Sequence, residues 1–70
     1  MTRAEVKEEG VRIMVELWAR GYPMLGVHEL DGGAKFGFAI RLRNGGFHGF
    51  RVPLEYLSVG TVAAMVEAYL

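Results

Sequence analysis

The feature that most constrains the fold is a run in the middle of the chain, residues 35–42, in which large apolar side chains alternate with small or charged ones. Phe36, Phe38, Ile40 and Leu42 occupy every second position, and Lys35, Gly37, Ala39 and Arg41 fill the positions between them. A period of two is typical of a β-strand with one face in the core and the other exposed. Because glycine-rich segments flank the run on both sides, we expect it to be the central strand of a three-stranded meander.

Helical patterns precede and follow the three strands. Thr2 and Glu5 have the spacing of a capping box, and Gly21 supplies a stop signal, which together predict a first helix that continues to about Arg20. Ser58 is the predicted N-cap of a second helix. The predicted core stripes are Val6, Gly10, Ile13 and Leu17 in the first helix, and Val59, Val62, Ala63, Val66, Tyr69 and Leu70 in the second. The predicted fold class is therefore α+β, with the order α-β-β-β-α and two helices packed on one face of the antiparallel meander.

The turn between the first two strands predicts how they pair. It reads Asp31-Gly32-Gly33-Ala34, and a two-residue Gly-Gly loop would pair Val27 with Phe38. This register places Leu25 and Val27 on the core face and leaves Leu30 facing outward.

The second turn, Asn44-Gly45-Gly46, allows two loop lengths with different consequences. A two-residue loop would turn Phe50 and Val52 away from the core. A three-residue loop with its last glycine in the left-handed conformation turns them inward, with Phe50 opposite Ile40 and Val52 opposite Phe38. Burial of the two apolar side chains favours the three-residue loop.

The order of elements resembles that of double-stranded-RNA-binding-like folds. The end of the chain, where Val52-Pro53 is followed by Gly60-Thr61 and a helix, is also similar to the end of HicA-type RNA-cleaving toxins. This likeness covers only the last third of the chain. The Gly-Ser-His that carries that family's chemistry is absent, and Ala34-Lys35-Phe36 stands at the head of the middle strand instead. We therefore do not extend that family's activity to this chain.

The composition predicts self-association. A chain of 70 residues, taken as a single domain (residues 1–70), is 51% hydrophobic and has a mean hydropathy of +0.20. A domain of this size is too small to bury that much apolar surface in its own core, so part of it stays exposed or meets a partner. The formal charge is +0, no apolar run is long enough to span a membrane, and the charged N-terminal segment is unlike a signal peptide. We therefore expect a cytoplasmic protein with no membrane partner.

The predicted oligomer contact consists of helical residues that the sheet does not cover. Val15 and Trp18 belong to the first helix, and Ala64, Met65 and Ala68 belong to the second. If the two helices pack side by side, these residues are neighbours and can meet a second copy of the chain. A homodimer is the simplest assembly of this kind.

The outward face of the sheet gives the alternative prediction. Between residues 32 and 54 the sequence has four Lys or Arg and no Asp or Glu. Arg41, Arg43, Arg51, Phe47 and His28 are predicted to surround a flat floor of glycine and alanine. Such a surface favours RNA or DNA binding, and thus a regulatory function. An ordinary solvated sheet face and a sheet-to-sheet dimer contact are the other two interpretations.

No catalytic or metal-binding pattern is visible. His28 and His48 are predicted to point to opposite faces of the sheet, so they cannot share a metal ion or form an acid–base pair. Ser58 has no accompanying His–Asp pattern and is better explained as a helix cap. The sequence thus favours a small non-enzymatic interaction module without a cofactor, and an enzyme using His28 ranks behind a nucleic-acid-binding protein.

Overall fold

The computed structural model describes residues 2–70, which form two helices and one antiparallel sheet. In chain order the elements are α1 (Arg3–Ala19), β1 (Met24–Leu30), β2 (Lys35–Arg41), β3 (Phe47–Pro53) and α2 (Val59–Tyr69), with short 3₁₀ turns at Asp31–Gly33 and Leu54–Tyr56. The strand order is β1-β2-β3, so β2 is the central strand. The predicted α+β fold of order α-β-β-β-α is confirmed.

The residues predicted to cap the helices do so in the structure. The Thr2 hydroxyl accepts a hydrogen bond from the Glu5 backbone N–H at 3.2 Å, and the Glu5 carboxylate accepts one from the Thr2 backbone N–H at 3.3 Å. This reciprocal pair satisfies donors that the first helical turn leaves without partners. At the other end Gly21 has a φ of +93°, which terminates α1. Ser58 caps α2 by accepting from the Thr61 backbone N–H at 3.1 Å.

The core lies between one face of the sheet and both helices. Its buried members are Val6, Ile13, Leu17, Met24, Phe36, Phe38, Ile40, Phe50, Val52, Val62 and Val66. Phe38 stacks on Phe50 with ring centroids 5.8 Å apart. The predicted stripe of α1 is confirmed, whereas the stripe of α2 is buried only at Val62 and Val66. Tyr69 lies at the end of α2 and is 46% exposed. Its ring packs against His48 at the edge of the sheet.

The backbone of α1 lies close to the sheet at Gly10. A Cβ atom at this position would lie 2.5 Å from Cε1 and 2.6 Å from Cδ1 of Phe36. The ring of Phe36 is only 1% exposed and therefore has little room to move aside. Gly10 is thus the place where an aromatic ring of β2 fits against the helix backbone.

The first two strands pair as predicted except at the start of β1. Val27 lies opposite Phe38, but a β-bulge between Met24 and Gly26 removes Leu25 from the ladder. Met24 then faces the core, and Leu25 is 48% exposed, so the prediction that Leu25 belongs to the core was wrong. Bulges are common at sheet edges, and two adjacent apolar residues give no sequence signal for which one enters the core.

The loop lengths also differ from the predictions. The first connection is a four-residue segment, residues 31–34, instead of a two-residue loop, and Asp31 adopts a φ of +50° within it. The second connection is a five-residue segment, residues 42–46, in which Gly45 rather than Gly46 has positive φ. The Leu42 backbone N–H donates to the Gly46 carbonyl at 2.8 Å and closes this loop.

The longer second loop slides β3 along β2 by two residues. Phe50 lies opposite Phe38, and Val52 opposite Phe36. Both side chains nevertheless face the core as predicted, because a shift of two residues leaves each side chain on the same face of a strand. Arg51, which lies between them on the other face, consequently lies opposite Gly37.

Candidate interaction surfaces

One exposed apolar surface lies where α1 meets the edge strand β1. Val11, Val15 and Trp18 are spaced four and three residues apart on α1, so they share one side of the helix. Leu25 joins them because the bulge turns it out of the sheet. The exposed fractions are 42% for Val11, 50% for Val15, 66% for Trp18 and 48% for Leu25. We call these four residues the α1–β1 patch.

The patch combines a projecting ring with a hollow beside it. A surface depression of about 240 Å³ lies between α1 and β1, and it is lined by Met14, Val15, Trp18, Met24 and Leu25. Trp18 and Leu25 also border a second depression toward Pro23 and Arg41. The largest exposed side chain of the patch thus stands next to a recess with apolar walls.

Charges of both signs surround the helical end of the patch. Lys7, Glu8, Arg12 and Glu16 border Val11 and Val15. Arg12 donates hydrogen bonds to the Glu9 carboxylate, which holds the pKa of Glu9 below and the pKa of Arg12 above their ordinary values. Arg12 also lies 3.6 Å from the Glu16 carboxylate. The rim is therefore balanced in charge and suits a partner surface that is itself neutral.

The structure does not bring the predicted contact residues of the two helices together. Val15 and Trp18 lie on the flank of α1 that faces β1. The opposite flank, at Glu9, faces Leu54 and Leu57 just before α2. The two predicted residues of α1 therefore point away from α2.

The predicted residues of α2 occupy other parts of that helix. Ala64 and Ala68 are exposed, whereas Met65 is half-buried against the core. Met65 precedes Tyr69 by one helical turn, and the ring of Tyr69 stacks on His48 of β3 with centroids 4.0 Å apart. Met65 therefore belongs to the flank of α2 that faces β3, on the far side of the helix layer from Trp18.

The second surface is the face of the sheet that carries no helix, which we call the uncovered sheet face. Its middle row is Gly26, Ala39 and Gly49, which are cross-strand neighbours. A Cβ at Gly26 would meet nothing within 4 Å, and a Cβ at Gly49 would meet only the Phe38 carbonyl oxygen at 3.7 Å. No described side chain covers these two glycines, so the floor is open and flat.

Polar side chains border this floor at one end. His28 and Arg51 lie on either side of Gly37 in the next cross-strand row. The imidazole of His28 and one methyl group of Leu30 lie over Gly37, with Nε2 at 3.0 Å and Cδ1 at 3.3 Å from the position of a Cβ there. A depression of about 270 Å³ extends from these side chains across Ala39 and Gly49 to Arg51.

Arg41 and Phe47 border the floor at its other end. They are cross-strand partners, and Phe47 is 77% exposed. The guanidinium of Arg41 donates a hydrogen bond to the Gly45 carbonyl at 3.1 Å, which ties it to the hairpin loop. Arg43 is exposed in the same loop. The structure thus places all five sequence-predicted residues of this surface on or beside one face of the sheet, divided between its two ends.

The two histidines face opposite sides of the sheet. His28 pairs with Gly37 on the uncovered face, and His48 pairs with Ile40 on the core side. Their predicted separation is confirmed, and the ring of His48 lies against that of Tyr69. Within residues 2–70 there is no group of three His, Cys, Asp or Glu residues placed to hold a metal ion. Neither helix is long and apolar enough to cross a membrane.

Comparison with known proteins gives no relative from which a function could be transferred. The chain matches no protein-family model, no curated protein and no solved structure. A functional assignment therefore depends on the two surfaces described above.

Proposed function

We propose that the protein is a small non-enzymatic interaction module that forms a dimer with a second copy of itself through the α1–β1 patch. The observation that supports this most strongly is the 66% exposure of Trp18, whose ring stands beside an apolar hollow. Tryptophan is enriched among the residues that dominate binding energy at interfaces. An exposed tryptophan surrounded by half-exposed Val15 and Leu25 is a typical centre for such a contact.

A second copy is the partner that fits this surface. In a two-fold contact the same patch faces itself, so the indole of each copy can enter the hollow of the other. The rim is compatible with this arrangement, because Lys7 and Arg12 can approach Glu8 and Glu16 of the other copy. The formal charge of the whole chain is +0, so two copies do not repel each other through net charge.

The size of the patch sets the expected affinity. The four side chains expose on the order of 400 Å², within the range of apolar patches that are often functional. A standard interface buries about 800 Å² on each partner. The patch thus supplies the apolar centre, and the charged rim must supply the remaining area. We expect a modest affinity, with dissociation constants on the order of 10 μM.

Sedimentation velocity over a concentration series tests the proposal. The wild-type protein is expected to sediment as a dimer at about 100 μM and to dissociate on dilution. Val15→Glu should weaken the dimer by about a hundredfold or more, because it would place a carboxylate of each copy in the apolar centre of the contact. Val15 is half exposed, so the monomer should keep its helical circular-dichroism spectrum.

Two control variants separate this contact from others. Tyr56→Ser removes an aromatic ring that is 63% exposed outside the patch, and it should leave the dimer intact. Ala64→Glu places the same new charge on the exposed face of α2, and it should also leave the dimer intact. A monomeric wild type at about 100 μM would contradict the proposal. If Ala64→Glu dissociated the dimer and Val15→Glu did not, the contact would lie on α2 and the proposed patch would be wrong.

A further inference from the structure

We propose a second binding site, for single-stranded nucleic acid, on the uncovered sheet face. The site would hold bases flat against the floor formed by Ala39 and Gly49 and bind the phosphates through Arg51. It is distinct from the α1–β1 patch, because none of its proposed contact residues, Ala39, Phe47, Gly49 and Arg51, belongs to that patch. The inference goes beyond the proposed function and can fail without affecting it.

The charge of this face supports an anionic ligand. The outward positions of all three strands include Lys35, Arg41 and Arg51 but no Asp or Glu. Lys35 lies 3.5 Å from Asp31, and Arg41 is bound to the hairpin loop. Arg51 has neither an ion pair nor a hydrogen bond with any described side chain. Its guanidinium is therefore available for a phosphate group, which arginine binds in a bidentate manner.

The shape of the face favours an unpaired strand over a duplex. Along β3 the floor extends from Phe47 to Arg51. These residues are four positions apart, which corresponds to about 13 Å at 3.3 Å per residue. It is flat or slightly hollow, whereas reading a duplex requires an element that projects into a groove. Bases of a single strand can be splayed against a flat surface and stacked on an exposed aromatic ring. Phe47, at 77% exposure, supplies such a ring at one end of the floor.

A ligand without rings would leave part of this surface unused. An acidic peptide could pair with Arg51, but it would give the open floor and Phe47 no flat group to contact. A single-stranded nucleic acid carries both the negative charge and the planar groups. It is therefore the occupant that satisfies the charge and the shape together.

The test is a fluorescence-anisotropy titration with a labelled oligodeoxythymidylate of about 12 nucleotides, whose bases do not pair. We expect binding at low salt that weakens as salt increases, with a slope of about −0.7 for each phosphate contact. Arg51→Glu and Phe47→Ala should each weaken binding by about tenfold. Arg20→Glu changes the net charge as much as Arg51→Glu does, but Arg20 caps the C-terminal end of α1, and binding should change by no more than about twofold.

Gly49→Val tests the floor itself. A Cβ at this position has room, and valine is favoured in strands, so the fold and its thermal stability should be preserved. The side chain would rise from the floor and obstruct a base, so oligonucleotide binding should fall by about tenfold. Val15→Glu should bind the oligonucleotide as the wild type does, because the two sites are separate.

Three results would overturn the proposal. The first is an absence of binding by the wild type at low salt. The second is an equal loss of affinity in Arg51→Glu and Arg20→Glu, which would indicate attraction by overall charge alone. The third is equal or tighter binding of a duplex of the same length, since a duplex does not present its bases to a flat surface.

Discussion

Replacing Phe38 with alanine is expected to unfold a large fraction of the protein. Phe38 is at the centre of the middle strand, is 1% exposed, and stacks on Phe50. Removing a buried phenylalanine ring costs about 3–5 kcal/mol. The total stability of a domain of this size is only about 4–10 kcal/mol, so the change removes much of it. Urea unfolding followed by circular dichroism measures the loss.

Phe47→Ala is the matched control for this prediction. It makes the same chemical change on the opposite face of the sheet, where the ring is 77% exposed. Its effect on the free energy of unfolding should stay within about 0.5 kcal/mol. A loss below about 1 kcal/mol in Phe38→Ala, or equal losses in the two variants, would contradict the described core.

Gly10→Ala is the second change with a large expected effect, and its direction is opposite to what helix propensity alone predicts. Alanine is preferred over glycine in a helix interior by about 1 kcal/mol. At Gly10, however, the added methyl group would lie 2.5 Å from the buried ring of Phe36. Overpacking of this kind costs about 1–3 kcal/mol. Since the propensity gain offsets part of this cost, we expect net destabilisation of up to about 2 kcal/mol, measured by urea unfolding at a fixed protein concentration.

Two further variants isolate the contact between Gly10 and Phe36. Gly60→Ala introduces the same methyl group into α2, where a Cβ meets nothing within 4 Å, and it should be neutral or slightly stabilising. Phe36→Leu shortens the opposing side chain, so the double variant with Gly10→Ala should lose less stability than the sum of the single losses. Stabilisation by Gly10→Ala, or strict additivity with Phe36→Leu, would show that the ring does not press against the helix at this position.

The sequence was sufficient to predict the order of the elements and the buried faces of β2 and α1. The alternation around Phe38 and the helical spacing of Ile13 and Leu17 depend only on local geometry, and both faces were identified correctly. The register that places Phe50 opposite Phe38 could not be predicted from the hydrophobic pattern. A shift of two residues keeps every side chain on its face, so the hydrophobic pattern cannot separate a three-residue loop from a five-residue loop.

The composition of the α1–β1 patch was only partly predictable. Trp18 and Val15 were identified because they lie outside the core stripe of α1. Leu25 was missed because the bulge in β1 leaves no trace in a run of apolar residues. The separation of Trp18 from Met65 was missed because local sequence does not determine which flank of a helix faces the other helix.

A hydrogen bond between the segment after α1 and the end of α2 helps to set how the two helices pack. The Tyr22 hydroxyl donates to the Glu67 carboxylate at 2.7 Å, and this bond raises the pKa of Tyr22 above its ordinary value.

The most direct test of the proposed dimer is the fluorescence of Trp18, which is the single tryptophan in the sequence. Emission and quenching by iodide are measured while the wild-type protein is diluted from about 100 μM to about 1 μM. Because the ring is 66% exposed in one copy, burial by a second copy should shift its emission to shorter wavelength and protect it from iodide. We predict that both signals revert on dilution in parallel with the sedimenting mass, and that Val15→Glu shows the exposed signal at every concentration. A dimer in which Trp18 remains as accessible to iodide as in the diluted protein would contradict the account.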